Sequence, residues 1–106
     1  MLSVRKLFEF NGDYIQINTV STTESTFTVP NLDAGRVIVA FYSFSASAEV
    51  KATAIVLTPL FLKGTNDYVE LRDNPNNQTG YITRKSSSTI GLRTSDSRWQ
   101  ITCWIY

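Results

Sequence analysis

The sequence predicts an all-β protein, a single antiparallel β-sandwich or jelly-roll-like domain of about eight short strands filling residues 1–106. Three observations carry that expectation. Apolar residues recur at alternate positions through most of the chain, the period of a half-buried strand. The same runs are rich in Val, Ile, Thr, Phe and Tyr, which fit a pleated surface better than a helix. Between them stand clusters of Asn, Asp, Gly, Pro and Ser at roughly the 8–12-residue spacing of sandwich and barrel turns.

Ser3 to Phe10 reads as the first strand, with Phe8 and Phe10 on one face. Asn11-Gly12-Asp13 follows, and Asn-Gly tolerates the positive φ of a tight hairpin turn. Tyr14 to Val20 is its partner, with Ile15 and Ile17 inward and Gln16 and Asn18 outward. Ser21 to Ser25 is a polar connection, and Thr26 to Val29 a short strand with Phe27 and Val29 on one face. Pro30 to Gly35 has turn chemistry at both ends.

That loop leads into Arg36 to Thr58, the longest region with almost no charge. Residues 36–44 and 49–58 read as two adjacent strands at the centre of the fold. Val37, Val39 and Phe41 alternate with Ile38, Ala40 and Tyr42, so both faces of the first strand are apolar, as in a strand buried on both sides. In the second, Val50, Ala52, Ala54 and Val56 share a face, and its alanines suit positions opposite Phe41 or Phe44, large against small. Residues 46–57 also fit a helical stripe through Val50, Ala54 and Leu57, but their Val, Ile and Thr content favours a strand.

Pro59 ends the pair because it has no N–H to give a ladder. Leu60-Phe61-Leu62 reads as an apolar plug at one end of the core, and Lys63 to Asp67 as a turn. Tyr68 to Arg72 alternates with Val69 and Leu71 inward. Asp73 to Gly80 is the longest loop-like segment, Tyr81 to Arg84 a short strand, and Ile90 and Leu92 mark another. Thr94 to Ser97 turns the chain into Arg98 to Tyr106. There Trp99, Ile101, Cys103 and Ile105 share one face, and Gln100, Thr102, Trp104 and Tyr106 the other.

Composition narrows the function. Net charge is +1, which gives no bulk attraction to nucleic acid or acidic membranes. The chain has no histidine, which removes Ser-His and Cys-His catalysis and His-based metal sites. Its acids are scattered with no motif for paired-carboxylate hydrolysis. The lone Cys103 excludes an intrachain disulfide, and its place in an apolar alternation reads as a buried inert thiol. Met1 to Lys6 brings charge before any apolar run, so no signal peptide is expected, and no run has the length of a membrane span. The expectation is a non-enzymatic protein with no catalytic residue, metal or cofactor.

The candidate binding residues are aromatic, amide and basic. Trp104 and Tyr106 project from the polar face of the last strand, where exposed aromatics stack on sugars or anchor an interface. The competing role is a second core layer. Tyr81, with Asn74, Asn76 and Asn77 from the adjoining loop, would complete a sugar site. The same loop, with Asp67, Glu70 and Asp73, offers oxygen ligands for calcium, but its spacing matches no EF-hand and Asx-rich turns serve their own hydrogen bonds. Arg84, Lys85, Arg93 and Arg98 form a basic group near Tyr81 and Trp99 that would bind single-stranded nucleic acid on an OB-like barrel. Alternatively they blunt a strand edge.

An all-β chain rich in Ser, Thr and Asn, without an export signal, that closes on the aromatic strand RWQITCWIY resembles the small β-sandwich modules of bacteriophage virions. These are head-decoration proteins, head fibres and tail receptor-binding proteins. The resemblance is one of style over the whole chain and transfers no functional residue. It implies a structural or attachment protein made in the host cytoplasm and located in the virion. It also implies a homo-oligomer, a trimer being favoured, docked to other virion proteins. Two alternatives stand beside it: a carbohydrate-binding module using the exposed aromatics, with a cell-surface glycan as partner, and the OB-like nucleic-acid binder.

Overall fold

The structure is a computed structural model and describes residues 14–45, 52–57 and 63–106. The expected Ser3–Phe10 strand, its Asn-Gly turn, Val50 and the Leu60-Phe61-Leu62 plug lie outside the described residues. Eight strands occur among those described: Ile15–Thr19 (β1), Ser25–Thr28 (β2), Ile38–Phe44 (β3), Ala52–Leu57 (β4), Tyr68–Asp73 (β5), Gln78–Ser86 (β6), Thr89–Thr94 (β7) and Trp99–Ile105 (β8). They form two four-stranded sheets, ordered β1-β8-β3-β4 and β2-β7-β6-β5. All paired neighbours are antiparallel.

The winding follows from which strands change sheet. The β1–β2 and β7–β8 connections both cross between sheets, and their arms pair along their lengths, β1 with β8 and β2 with β7. That two-sheet wrap is the jelly-roll element of the fold. By contrast β3 pairs directly with β4, and β5, β6 and β7 make a meander.

Side chains of period two fill the space between the sheets. Ile38, Ala40, Tyr42, Ile101, Cys103 and Ile105 come from the first sheet, and Leu71, Ile82, Ile90 and Leu92 from the second. Tyr42 stacks on Trp99 with ring centroids 5.0 Å apart. The opposite sheet makes room for this pair at Gly80, where an added Cβ would lie 2.7 Å from the Tyr42 ring. Burial pushes the Tyr42 phenol above its usual range. Burial also pushes the Cys103 thiol up to about 12, so it is protonated and unreactive at neutral pH.

Two expectations need correction. The paired strands do lie side by side, and Phe41 stands opposite Ala54 as large-against-small packing requires. Yet only β3 is internal, whereas β4 is the outermost strand of its sheet among the described residues. The apolar character of β4 comes from an apolar outer face, since Val56 is 50% exposed. Second, the long 73–80 loop is a tight turn. Asn74–Asn76 form one turn of 3-10 helix, Asn77 takes the left-handed conformation at φ 52°, and β6 begins at Gln78. Asn accepts that conformation more readily than most residues, so four residues reverse the chain and Thr79 and Gly80 enter the ladder.

Candidate functional site

Once the inner faces are spent on the core, the candidate residues fall on the two outer faces and the rims. In the first sheet, antiparallel register aligns outward side chains in rows. One row runs Val56, Val39, Trp104, Gln16 across β4, β3, β8 and β1, and the next runs Ala54, Phe41, Thr102, Asn18. The face is thus polar over β1 and over Thr102 and Gln100 of β8, and apolar at Trp104 and over Val39, Phe41, Ala54 and Val56 of β3 and β4. Val39 is buried although it points away from the core, and the edge of Trp104 meets Phe41 at 5.3 Å between centroids. Tyr106, just beyond β8, lies 5.3 Å from Tyr14. It also lines a shallow depression of about 340 Å³ with Asn31, Ala34, Gly35 and Arg36. The Arg36 Nε donates to the carbonyl of Pro30 at 2.8 Å, so that guanidinium is partly committed to the loop.

In the second sheet the outward rows run Tyr68, Thr83, Gly91, Thr26 and Glu70, Tyr81, Arg93. Tyr68 is 58% exposed, and its ring centroid lies 6.1 Å from that of Tyr81. The Arg93 guanidinium carbon sits 3.9 Å above the Tyr81 centroid, a cation–π contact. Arg72 reaches Glu70 at 3.1 Å, and Lys85 reaches Glu24 at 3.0 Å.

The sandwich therefore separates residues that the sequence suggested as one aromatic set. Trp104 and Tyr106 are carried by the first sheet, and Tyr81 stands on the outer face of the second. The amides are not gathered with them either. The Asn76 Nδ2 donates to Asp73 Oδ1 at 2.9 Å, Asn77 donates its backbone N–H to the Asn74 carbonyl, and all three belong to the β5–β6 turn. Among the described residues no three His, Cys, Asp or Glu side chains converge as metal ligands.

The basic residues are dispersed, and three carry carboxylate partners. Arg84 pairs with Asp33 at 2.7 Å, its side chain only 13% exposed, and joins β6 to the β2–β3 loop. The Arg84 guanidinium holds the Asp33 carboxyl below its usual range. Lys85 is neutralised by Glu24. Arg98 binds Asp96 at 2.6 Å, and those hydrogen bonds lower the Asp96 carboxyl to about 2. Arg93 lies on Tyr81 instead. The four make no continuous cationic track of the kind a nucleic-acid backbone follows.

Comparison with protein-family models, curated proteins and solved structures finds no match to this chain. Sequence reasoning passed over Tyr68, whose place beside Glu70 and Arg72 on the polar side of an alternating strand was the available signal. It also gave no outer-face role to Val39, Phe41 and Val56, because an apolar run does not say which side of a sheet will be left without a second layer. Among the described residues no helix is long and apolar enough to cross a membrane.

Proposed function

We propose that this protein is a non-enzymatic structural or attachment module of the bacteriophage-virion kind. It self-associates and docks to a larger assembly through the outer face of β8, β3 and β4. One observation supports this reading. The exposed Val56 and the partly exposed Trp104 stand on either side of the covered Val39 in an apolar row across three strands, with Ala54 and Phe41 in the next. An antiparallel sheet facing only water carries polar residues there.

The size of the patch defines its role. Three strands about 4.8 Å apart and two rows about 7 Å apart span roughly 200 Å². A stable interface covers about 800 Å² on each partner. The patch is thus the apolar centre of a contact, and the polar surface around it completes the rim. A homotrimer is the favoured form, following the resemblance to virion modules.

The test is mass in solution by light scattering at high micromolar concentration. The unaltered chain is expected to give a small multiple of the monomer mass. Val56→Lys, which places a charge on an already exposed position, is expected to reduce that to one chain with little change in the urea midpoint. A one-chain mass for the unaltered protein overturns the proposal.

A further inference from the structure

We infer that the outer face of the second sheet is a separate binding site for neutral saccharides, centred on Tyr68 and Tyr81. This goes beyond the assembly face, which lies on the other sheet.

The geometry carries the inference in three steps. First, the Tyr68 ring is accessible and the partly buried Tyr81 ring beside it is held in place. Arg93 covers one side of the Tyr81 ring at 3.9 Å, and Tyr68, 58% exposed, stands beside it at 6.1 Å. A pyranose ring presents an apolar C–H face of matching size, with its hydroxyls at the perimeter. Aromatic rings take such a face while polar neighbours take the edge.

Second, planar groups with hydrogen-bonding capacity to spare surround the rings. The register sets Glu70 on one side of Tyr81 and Arg93 on the other. Among the described residues no carboxylate lies within salt-bridge distance of Arg93, so its donors are not taken up by an ion pair. The Glu70 carboxylate receives one bond, from Arg72 at 3.1 Å, and keeps further lone pairs. A guanidinium and a carboxylate on either side of an aromatic ring suit neighbouring hydroxyls, one as donor and the other as acceptor.

Third, the charges beside the rings are few and mostly compensated. Glu70 is neutralised by Arg72, which leaves Arg93 as the one cation at the rings with no carboxylate partner among the described residues. Nucleic acid needs several unneutralised cations in a line. Lys85, Arg84 and Arg98 all have carboxylate partners. A neutral sugar needs no charge partner, and the acidic sugar in the titration below tests whether the Arg93 cation selects a carboxylate instead.

The face is flat, so a single site is expected to hold a monosaccharide with Kd on the order of 1 mM. Copies joined in one particle would raise the apparent affinity through avidity.

The experiment is an amide-resolved NMR titration of the full chain. The probes are the methyl glycosides of glucose, galactose and N-acetylglucosamine at tens of millimolar, with glucuronic acid and a short single-stranded oligonucleotide as comparisons. At least one neutral glycoside is expected to shift Tyr68, Tyr81, Thr83 and Arg93. Tyr68→Ala should weaken that response at least about tenfold without altering the rest of the spectrum, since Tyr68 is exposed. Arg93→Lys, which keeps the charge but loses the planar donors, should weaken it as well. The inference is overturned if no neutral glycoside shifts these residues, if the shifts fall elsewhere, or if only the acidic sugar or the oligonucleotide binds there.

Discussion

The outer faces of the two sheets are made by the same alternation and differ in chemistry. Across β4, β3 and β8 the outward row reads Val56, Val39, Trp104. Across β5, β6 and β7 it reads Glu70, Tyr81, Arg93. In β3 three consecutive residues, Ile38, Val39 and Ala40, are buried, whereas in β5 burial alternates strictly. A run without alternation marks a sheet covered on both sides, and strict alternation marks one side left to water. On this comparison the outer face at Val39 is covered within the chain, so the proposed protein contact rests on Val56 and its neighbours at the margin of the first sheet, and the proposed polar-ligand site on the second.

The largest expected effect tests whether inside and outside are assigned correctly along a single strand. Trp99 and Trp104 both belong to β8, but Trp99 is 3% exposed and stacked on Tyr42, while Trp104 points outward onto Phe41. Trp99→Ala is expected to cost about 3–5 kcal/mol in urea unfolding, from lost burial and the cavity left behind. Trp104→Ala, measured at low concentration where association is absent, should cost less, about 1–3 kcal/mol, from the edge-to-face contact and the burial of a partly covered ring. Equal costs would mean that the outer face is a second core layer within one chain, and the comparison would fail.

Two glycines sharpen the same contrast with a smaller effect. Gly80 faces inward, and a Cβ there meets the fixed ring of Tyr42 at 2.7 Å. Gly91 faces outward, and its Cβ would meet the end of the Glu24 side chain at 2.6 Å. A ring inside a packed core cannot withdraw, but a surface glutamate can. Gly80→Ala is therefore expected to destabilise by about 1–3 kcal/mol. Gly91→Ala should cost no more than the surface Glu24–Lys85 pair it displaces, about 0.2–1 kcal/mol. Thermal unfolding of both variants decides the order.

These comparisons show how far the residues alone carry the reading. The eight-strand sandwich was legible because Trp99, Ile101, Cys103 and Ile105 alternate without a break, and Ile17, Val29 and Leu71 follow the same rule. The position of β4 was not legible. A strand with an apolar outer face has the same sequence pattern whether it lies in the middle of a sheet or at its margin. The turn at Asn77 was hidden because a left-handed residue shortens a loop without changing its composition. The aromatic candidates Trp104, Tyr106 and Tyr81 are only partly exposed, and neither that nor their grouping was legible in the residues. Trp104 and Tyr81 separate because β8 and β6 belong to different sheets, a fact of strand order that no local signal states.

The smallest effect belongs to the rim, where the β7–β8 crossing carries the chain from one sheet to the other. Asp96 organises that crossing. Its Oδ1 accepts from the backbone N–H and Nε of Arg98, its Oδ2 from Nη2, and its carbonyl from Thr94 Oγ1 and the Trp99 N–H. These bonds favour the carboxylate and lower its folded pKa from the usual 3.8 to about 2. Because the folded value is depressed, the associated stability is present above the unfolded pKa and is lost as pH falls through the folded one. Asp96→Asn is therefore expected to be less stable than the unaltered chain at about pH 6, with the gap narrowing from about pH 4 to about pH 2. Urea midpoints across that range measure it. A gap that stays constant with pH would mean that Asn replaces the turn geometry but that the charge on Asp96 adds nothing to the crossing. In that case the pairing with Arg98 would hold the backbone turn through its shape alone.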